Sequence, residues 1–247
     1  MSLSLAVVCE APADQRTGCD LADRVFMAEV AWIEQQMLPH YRQWRGLNPP
    51  EPYLLWKDVR GLATSRRIRA HGHFSGEPGA PDAHNARRAL LLLHSADHPP
   101  HAIVLLRDDD GQTQRRRGLQ QGRDSASIGI PVVIGLAQPE RECWVIAGFE
   151  PQNDEENRRL ETLISQLKFD PREAAQKLTA TRPASAPRNA KRVLRQLTEG
   201  DPERETECWR NTDLRLLAAR GRNTGLSEYL GEVQERLVPL FTASPDP

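Results

Sequence analysis

Three consecutive carboxylates follow an apolar run near the middle of the chain. Residues 102–106 are all apolar and predict a buried strand, and Asp108, Asp109, Asp110 and Gly111 come just after it. Alternate residues of an extended chain point the same way, so we expect Asp108 and Asp110 to face one cation while Asp109 turns aside. Paired carboxylate oxygens suit Mg²⁺ or Mn²⁺. The alternative is a solvated turn in which Gly111 supplies a positive φ, and for such a run alone that is the favoured interpretation.

A second set of carboxylates lies near the start of the chain. Residues 3–9 are strand-like and end at Glu10, and Asp14 follows four residues later at the start of a predicted helix. Ligands collect outside the carboxyl ends of the strands in an open α/β sheet. Glu10 and Asp14, together with Asp108 and Asp110, therefore predict a cluster of four carboxylates at one edge of a sheet.

This pattern resembles the Toprim domain of topoisomerases, primases and overcoming-lysogenization-defect nucleases. A strand ending in Glu, a helix, and Asp-x-Asp after a later buried strand occur in that order. The Glu-x-x-x-Asp spacing of Glu10 and Asp14 is similar to the nuclease branch. Residues 139–144 are similar to a Glu-Ala-Trp run on the following strand of small Toprim-like proteins encoded beside ATPases. The resemblance covers about residues 1–150, and it departs from the family at Ala11, where Gly is usual.

The resemblance implies a nuclease that hydrolyses phosphodiester bonds of DNA or RNA by a two-metal mechanism, with Mg²⁺ or Mn²⁺ as cofactor. Asp108 and Asp110 would hold the main ion. Asp14 and Glu142 would hold the second, and Glu10 would ligate metal or act as general base. The family also has a late lysine in the site.

That lysine corresponds to Lys191, which would stabilise charge on the phosphate in the transition state. Basic residues near it and near the acidic turn are candidates for binding a phosphate backbone, which requires only positive charge and donors. A solvated helix face is the alternative interpretation of both groups. The candidates are Arg115, Arg116 and Arg117 after the acidic turn, and Arg192 and Arg195 on a helix predicted over residues 191–197.

Several functions remain open at this point. Because the chain has no Walker A sequence, any nucleotide-driven step needs a partner ATPase, which the resemblance implies together with a role in defence against phage. A non-catalytic Toprim-like subunit that docks on that ATPase is the main alternative, and Ala11 favours it. A primase-like or topoisomerase-like activity is less favoured, since no tyrosine lies in a recognisable cleavage context and no zinc ribbon is present. His71 and His73 form a possible metal pair that is more typical of a polar surface.

The composition is that of a globular protein, with 38% hydrophobic and 27% charged residues. Lys plus Arg number 33 against 34 Asp plus Glu, so any affinity for nucleic acid must come from local patches. The four cysteines have no zinc spacing and predict reduced, partly buried thiols. No apolar stretch approaches the roughly 18 residues of a spanning helix, and no basic region precedes the first apolar run. We therefore expect a cytoplasmic protein without a membrane partner, and the sequence leaves an oligomer possible.

The expected fold class is α/β, with a Toprim-like, mostly parallel sheet flanked by helices and a helical C-terminal portion. We assign residues 1–150 to the catalytic core, and residues 151–247 to a helical extension that completes or covers the site. The strands are predicted at residues 3–9, 53–56, 102–106 and 131–137, and the principal helices at residues 20–37, 87–96, 153–167, 191–197, 212–219 and 226–241.

Overall fold

The apolar runs form a parallel sheet flanked by helices. A computed structural model describes residues 2–70, 72–180, 183 and 185–242. Its central strands are β1 and β4, which pair in parallel with Val8 opposite Leu105. Both are almost entirely buried, as expected for strands covered on both faces. The α/β prediction is confirmed. The strands are β1 (Leu3–Cys9), β2 (Arg42–Arg45), β3 (Leu54–Leu55), β4 (Ala102–Asp108) and β5 (Val132–Ala137), in the order β2-β1-β4-β5 with β3 also paired to β1.

The residues group into two compact units that are not consecutive along the chain. The predicted boundary at residue 150 falls inside the second unit, and the assignment of a core and an extension stays a prediction. The first unit comprises Met1–Arg107, Gln112–Gly135 and Glu232–Pro247, and the second comprises Asp108–Gly111 and Leu136–Gly231.

In the first unit, the helix after β1 begins earlier than the sequence indicated. Helix α1 (Pro12–Glu29) starts at a proline, whose missing N–H costs nothing in the first turn. The Asp14 carboxylate accepts the backbone N–H groups of Glu10 and Ala11, at 3.2 and 2.8 Å. Asp20, predicted as the N-cap of a helix over residues 20–37, therefore lies inside α1. The Asp14 cap, and not Asp20, sets where the helix begins.

Two glycines allow the remaining helices of the first unit to pack closely. A Cβ on Gly118 would lie 1.7 Å from the carbonyl oxygen of Pro81, and one on Gly122 would lie 2.5 Å from the Ala86 Cβ. No side chain larger than hydrogen fits at Gly118. His71 lies outside the described residues, so its pairing with His73 stays a prediction. The helices are α2 (Leu38–Tyr41), α3 (Trp56–Ser65), α4 (Ala83–His94), α5 (Arg115–Ala126) and α12 (Pro239–Thr242).

The second unit is mainly helical, and four of its described helices begin at side-chain caps. The side chains of Asn153, Asn189, Asp201 and Asp213 each accept a backbone N–H in the following turn. Three predicted helices are confirmed, the predicted helix over residues 226–241 is divided between α11 and α12, and α9 was not anticipated. The helices are α6 (Glu142–Ala147), α7 (Asp154–Leu167), α8 (Ala190–Thr198), α9 (Pro202–Asn211), α10 (Leu214–Arg220) and α11 (Leu226–Arg236), of which α11 runs on into the first unit.

The second unit contains a stacked aromatic pair and a buried ion pair. Trp144 stacks on Tyr229 at 5.2 Å between ring centroids and donates its indole N–H to the Thr224 carbonyl oxygen at 2.7 Å. Arg204 makes a bidentate contact with Glu156 at 2.8 and 2.9 Å. Across the described part of the chain, no helix combines the length and the apolar character needed to span a membrane.

Candidate metal centre

Backbone hydrogen bonds bring the loop after β5 beside the end of β4. The backbone N–H of Asp109 donates to the Ala137 carbonyl oxygen at 2.7 Å, and that of Asp110 donates to the Pro139 carbonyl oxygen at 3.0 Å. Asp108 Oδ1 then accepts the backbone N–H of Arg141 at 2.8 Å. The last residue of β4 is thereby connected to the loop that carries the next acidic residues.

Three carboxylates converge at this point. One oxygen each from Asp108, Glu140 and Glu142 lies within 4.8 Å of the others. The side chains of Glu140 and Glu142 are buried, and that of Asp108 is half-buried. Glu142 is the first residue of α6, so the run that resembles a strand segment of the Toprim family is helical here. This trio is the one group of three or more potential metal-binding side chains among residues that the structure describes.

Glu140 is the most deeply buried of the three carboxylates. Its residue is 2% exposed, and its Oε1 accepts no hydrogen bond from the described residues. Its Oε2 lies 3.2 Å from the Lys191 Nζ. Burial and the negative charge of Glu142 raise the pKa of the Glu140 carboxyl, although Lys191 acts in the opposite direction. No role was assigned to Glu140 from the sequence. Its position just after the buried strand β5 was a usable signal, because ligands collect at the carboxyl ends of strands.

Lys191 reaches the trio from the second residue of α8. The Asn189 side chain caps that helix by accepting the backbone N–H of Arg192 at 3.0 Å. Burial alone would lower the pKa of Lys191, but Glu142 and Glu140 outweigh it and raise that pKa. The structure therefore places the Lys191 ammonium beside Glu140, a residue to which the sequence assigned no role. The role of Lys191 in a reaction stays a prediction.

Asp110 does not continue the alternation expected of an extended strand. Strand β4 ends at Asp108, and Asp110 and Gly111 both have positive φ, of 50° and 75°. This tight turn is the conformation that the Asp-Asp-Asp-Gly run also indicated. Asp108 is accordingly grouped with Glu140 from the loop after β5 and with Glu142 from the start of α6, and Asp110 is outside the trio.

Glu10 and Asp14 belong to the first unit and have partners there. Glu10 Oε1 forms an ion pair with Arg107 at 2.7 Å, and the same guanidinium lies 3.2 Å from Asp82. Asp14 caps α1. Their assignment as metal ligands, and that of Glu10 as general base, stays a prediction.

The predicted phosphate-binding arginines differ in accessibility. Arg115 is buried and forms a salt bridge with Asp82 at 2.8 Å, within the first unit. Arg116 is half-buried. Arg117 is exposed and forms an ion pair with Glu77. On α8, Arg192 is half-buried and Arg195 is exposed.

Arg192 has a local role in addition to any contact with a ligand. It donates a side-chain hydrogen bond to the Ser185 carbonyl oxygen, within the segment that precedes α8.

The cysteines offer no nucleophile. All four are free and buried. Burial raises the pKa of Cys9 and of Cys208 to about 12, and raises the pKa of Cys19 and Cys143 well above the ordinary value of 9.0. Thiolate chemistry at neutral pH is therefore disfavoured at each of them.

No protein-family model matches the chain, and comparison with curated proteins and with solved structures finds no match. The function of the chain is accordingly inferred from the geometry of Asp108, Glu140, Glu142 and Lys191.

Proposed function

We propose that this protein is a divalent-metal-dependent nuclease whose centre is the trio of Asp108, Glu140 and Glu142. The observation that carries the proposal is the convergence of three acidic side chains within 4.8 Å, two of them buried. Buried charge is costly unless it is paired or coordinates a metal. Lys191 and the Arg141 guanidinium, which lies 3.3 Å from Glu142 Oε1, offset two carboxylates of the three at most, which leaves an excess of one negative charge.

The donor set fits Mg²⁺ or Mn²⁺. All three donors are hard carboxylate oxygens, which these cations prefer. Glu140 Oε1 is buried without a hydrogen bond from the described residues, so it has a lone pair available for a ligand. When bound, such an ion polarises a phosphoryl oxygen and lowers the pKa of a coordinated water.

Lys191 would supply a second positive charge, in addition to that of the metal, next to the reacting phosphate. Its side chain is 63% exposed, so its ammonium has room to leave Glu140 Oε2 and contact a non-bridging phosphate oxygen. A cation at that oxygen stabilises the charge that develops in the transition state. Glu10, Asp14 and Asp110 as further ligands, and Glu10 as base, belong to the two-metal version of the proposal, which the Toprim resemblance implies.

A second candidate is a non-catalytic subunit that docks on a partner ATPase. The ion pair between Lys191 and Glu140 favours it, because a lysine that stays beside the trio compensates part of its charge without a metal. An antiphage role beside an ATPase is compatible with either candidate.

The test measures metal binding and cleavage on the same protein. We expect Mn²⁺ binding by calorimetry and Mn²⁺-dependent cleavage of labelled DNA or RNA by the parent, and loss of both in Asp108→Ala. A half-buried carboxylate at a strand end contributes little packing, so folding should be retained. Asp97→Ala is the matched control, since Asp97 is exposed in the first unit. Cleavage by Asp108→Ala at the parent's rate in saturating Mn²⁺ would refute the assignment, and absence of metal binding by the parent would favour the docking subunit.

Lys191→Ala separates the two candidates further. In the nuclease, removing the ammonium lowers kcat and does not weaken Mn²⁺ binding, because the lysine contacts phosphate and competes with metal at Glu140. A Lys191→Ala protein that cleaves as fast as the parent would remove Lys191 from the mechanism.

A further inference from the structure

A groove between α7 and α8 presents hydrogen-bond donors and positive charge. Its volume is about 380 Å³, and Arg158 and Gln166 of α7 line it together with Arg195 and Gln196 of α8. Leu163 supplies apolar surface. Because the lining is polar, the groove is suited to charged groups more than to stacked bases.

Three arginines and two glutamates line the groove, which gives the lining a net charge of +1. Arg159 lies 2.8 Å from Glu199 and 3.7 Å from Glu155, and also 3.8 Å from Glu156, which has Arg204 as its closer partner. The two glutamates of the lining are therefore paired with Arg159. Within the described ranges, neither Arg158 nor Arg195 forms an ion pair, and both are exposed. Two guanidinium groups flanked by side-chain amides form a typical site for phosphate oxygens.

The groove and the acidic trio share one helix. Arg195 follows Lys191 by four residues, so both side chains project from the same face of α8 and are separated by about 6 Å along its axis. That separation is comparable to the spacing of successive phosphates along an extended strand. A strand whose reacting phosphate contacts Lys191 would therefore place a neighbouring phosphate near Arg195.

We propose that the α7–α8 groove is a phosphate subsite, in which Arg158 and Arg195 hold a phosphate that neighbours the reacting one. This inference rests on the proposed nuclease function for its choice of ligand. The expected source of the phosphate is a single nucleic-acid strand. Free pyrophosphate shares the same chemistry and serves as the second ligand in the test.

The experiment measures binding without metal, so that it is independent of catalysis. Fluorescence anisotropy in EDTA would follow a labelled oligo-dT of about 12 nucleotides, a length within the range that single-strand sites cover. We expect the Arg158→Gln, Arg195→Gln double variant to raise Kd on the order of tenfold, and to reduce the slope of log Kd against log salt by about 0.7, which corresponds to one phosphate contact on a single strand. Binding of pyrophosphate alone is measured by calorimetry in the same buffer.

Arg215→Gln is the matched control, because Arg215 is an exposed arginine on α10 with no ion pair in the described part of the chain. It should leave Kd and salt slope at the parent's values. Arginine-dependent binding of the strand, or of pyrophosphate alone, supports the subsite and identifies which source of phosphate it accepts. The proposal is overturned if the double variant matches Arg215→Gln, or if the parent binds neither ligand. Arginine-dependent binding without metal-dependent cleavage would reject the nuclease and retain the subsite.

Discussion

Replacing Glu140 by glutamine should stabilise the metal-free protein while removing its response to metal. At an effective dielectric constant of about 20, each neighbouring carboxylate within 4.8 Å repels Glu140 by about 3.5 kcal/mol or more. The Lys191 ammonium at 3.2 Å returns about 5 kcal/mol on the same scale. Two repulsions and one attraction leave Glu140 with a net penalty of about 2 kcal/mol. A neutral glutamine side chain at this position also provides an amide donor to the acidic neighbours.

The assay is urea unfolding of parent and Glu140→Gln in EDTA and in Mn²⁺. In EDTA at pH 8 we expect the variant to gain about 2 kcal/mol in the free energy of unfolding. For the parent, Mn²⁺ at about 100 times its Kd should add about 2.7 kcal/mol, and the variant should lose most of this increment. Glu203→Gln is the control, because Glu203 is an exposed glutamate on α9 of the same unit.

The pH dependence gives an independent check. The folded protein holds the Glu140 proton more tightly than the unfolded chain, because the folded-state pKa is raised above its ordinary value of 4.5. Parent stability should therefore fall as the pH rises from 4.5 through the folded-state pKa, and the advantage of Glu140→Gln should grow over the same window. Equal stabilities in EDTA at pH 8, or an unchanged metal increment in the variant, would show that Glu140 is not part of a repulsive metal-binding trio.

Two further predictions concern the framework of each unit. Arg204→Ala should cost about 3–5 kcal/mol in the free energy of unfolding, because it leaves Glu156 buried without its bidentate partner. Hydrogen bonds from Arg204 lower the pKa of Glu156 below its ordinary value of 4.5, so this stabilisation is present above pH 4.5 and is lost as the pH falls through the folded-state pKa. Urea unfolding of parent and variant at pH 7 and pH 3 would measure the loss. A variant as stable as the parent at pH 7 would contradict the prediction. Gly118→Ala should cost about 3 kcal/mol, since its Cβ would lie 1.7 Å from the Pro81 carbonyl oxygen. Gly61→Ala in helix α3 is its control, because no atom lies within 4 Å of the added Cβ. This change should stabilise the protein by up to about 1 kcal/mol in thermal unfolding. Equal effects of the two changes would contradict the packing argument.

The sequence alone was sufficient for three strands of the sheet, but it did not predict the edge strand β2, whose four residues are mostly polar. Strands β1, β4 and β5 coincide with apolar runs, because a strand buried on both faces needs apolar side chains at every position. The boundaries of α1 were less accurate, because Asp20 resembles a cap as much as Asp14 does. Only the folded chain shows which carboxylate is close enough to accept the first backbone N–H groups.

The position of Asp108 at a strand end was also available from the sequence, but its partners were not. Local alternation favoured Asp110, yet a turn with positive φ ends the extended chain at Asp108. The partners are Glu140 and Glu142, because the pairing of residues 109 and 110 with residues 137 and 139 carries the loop after β5 to that strand end. Lys191 joins them from another helix, 51 residues beyond Glu140 in the chain. Contacts of this kind depend on which segments pack together, and tertiary packing alone determines that.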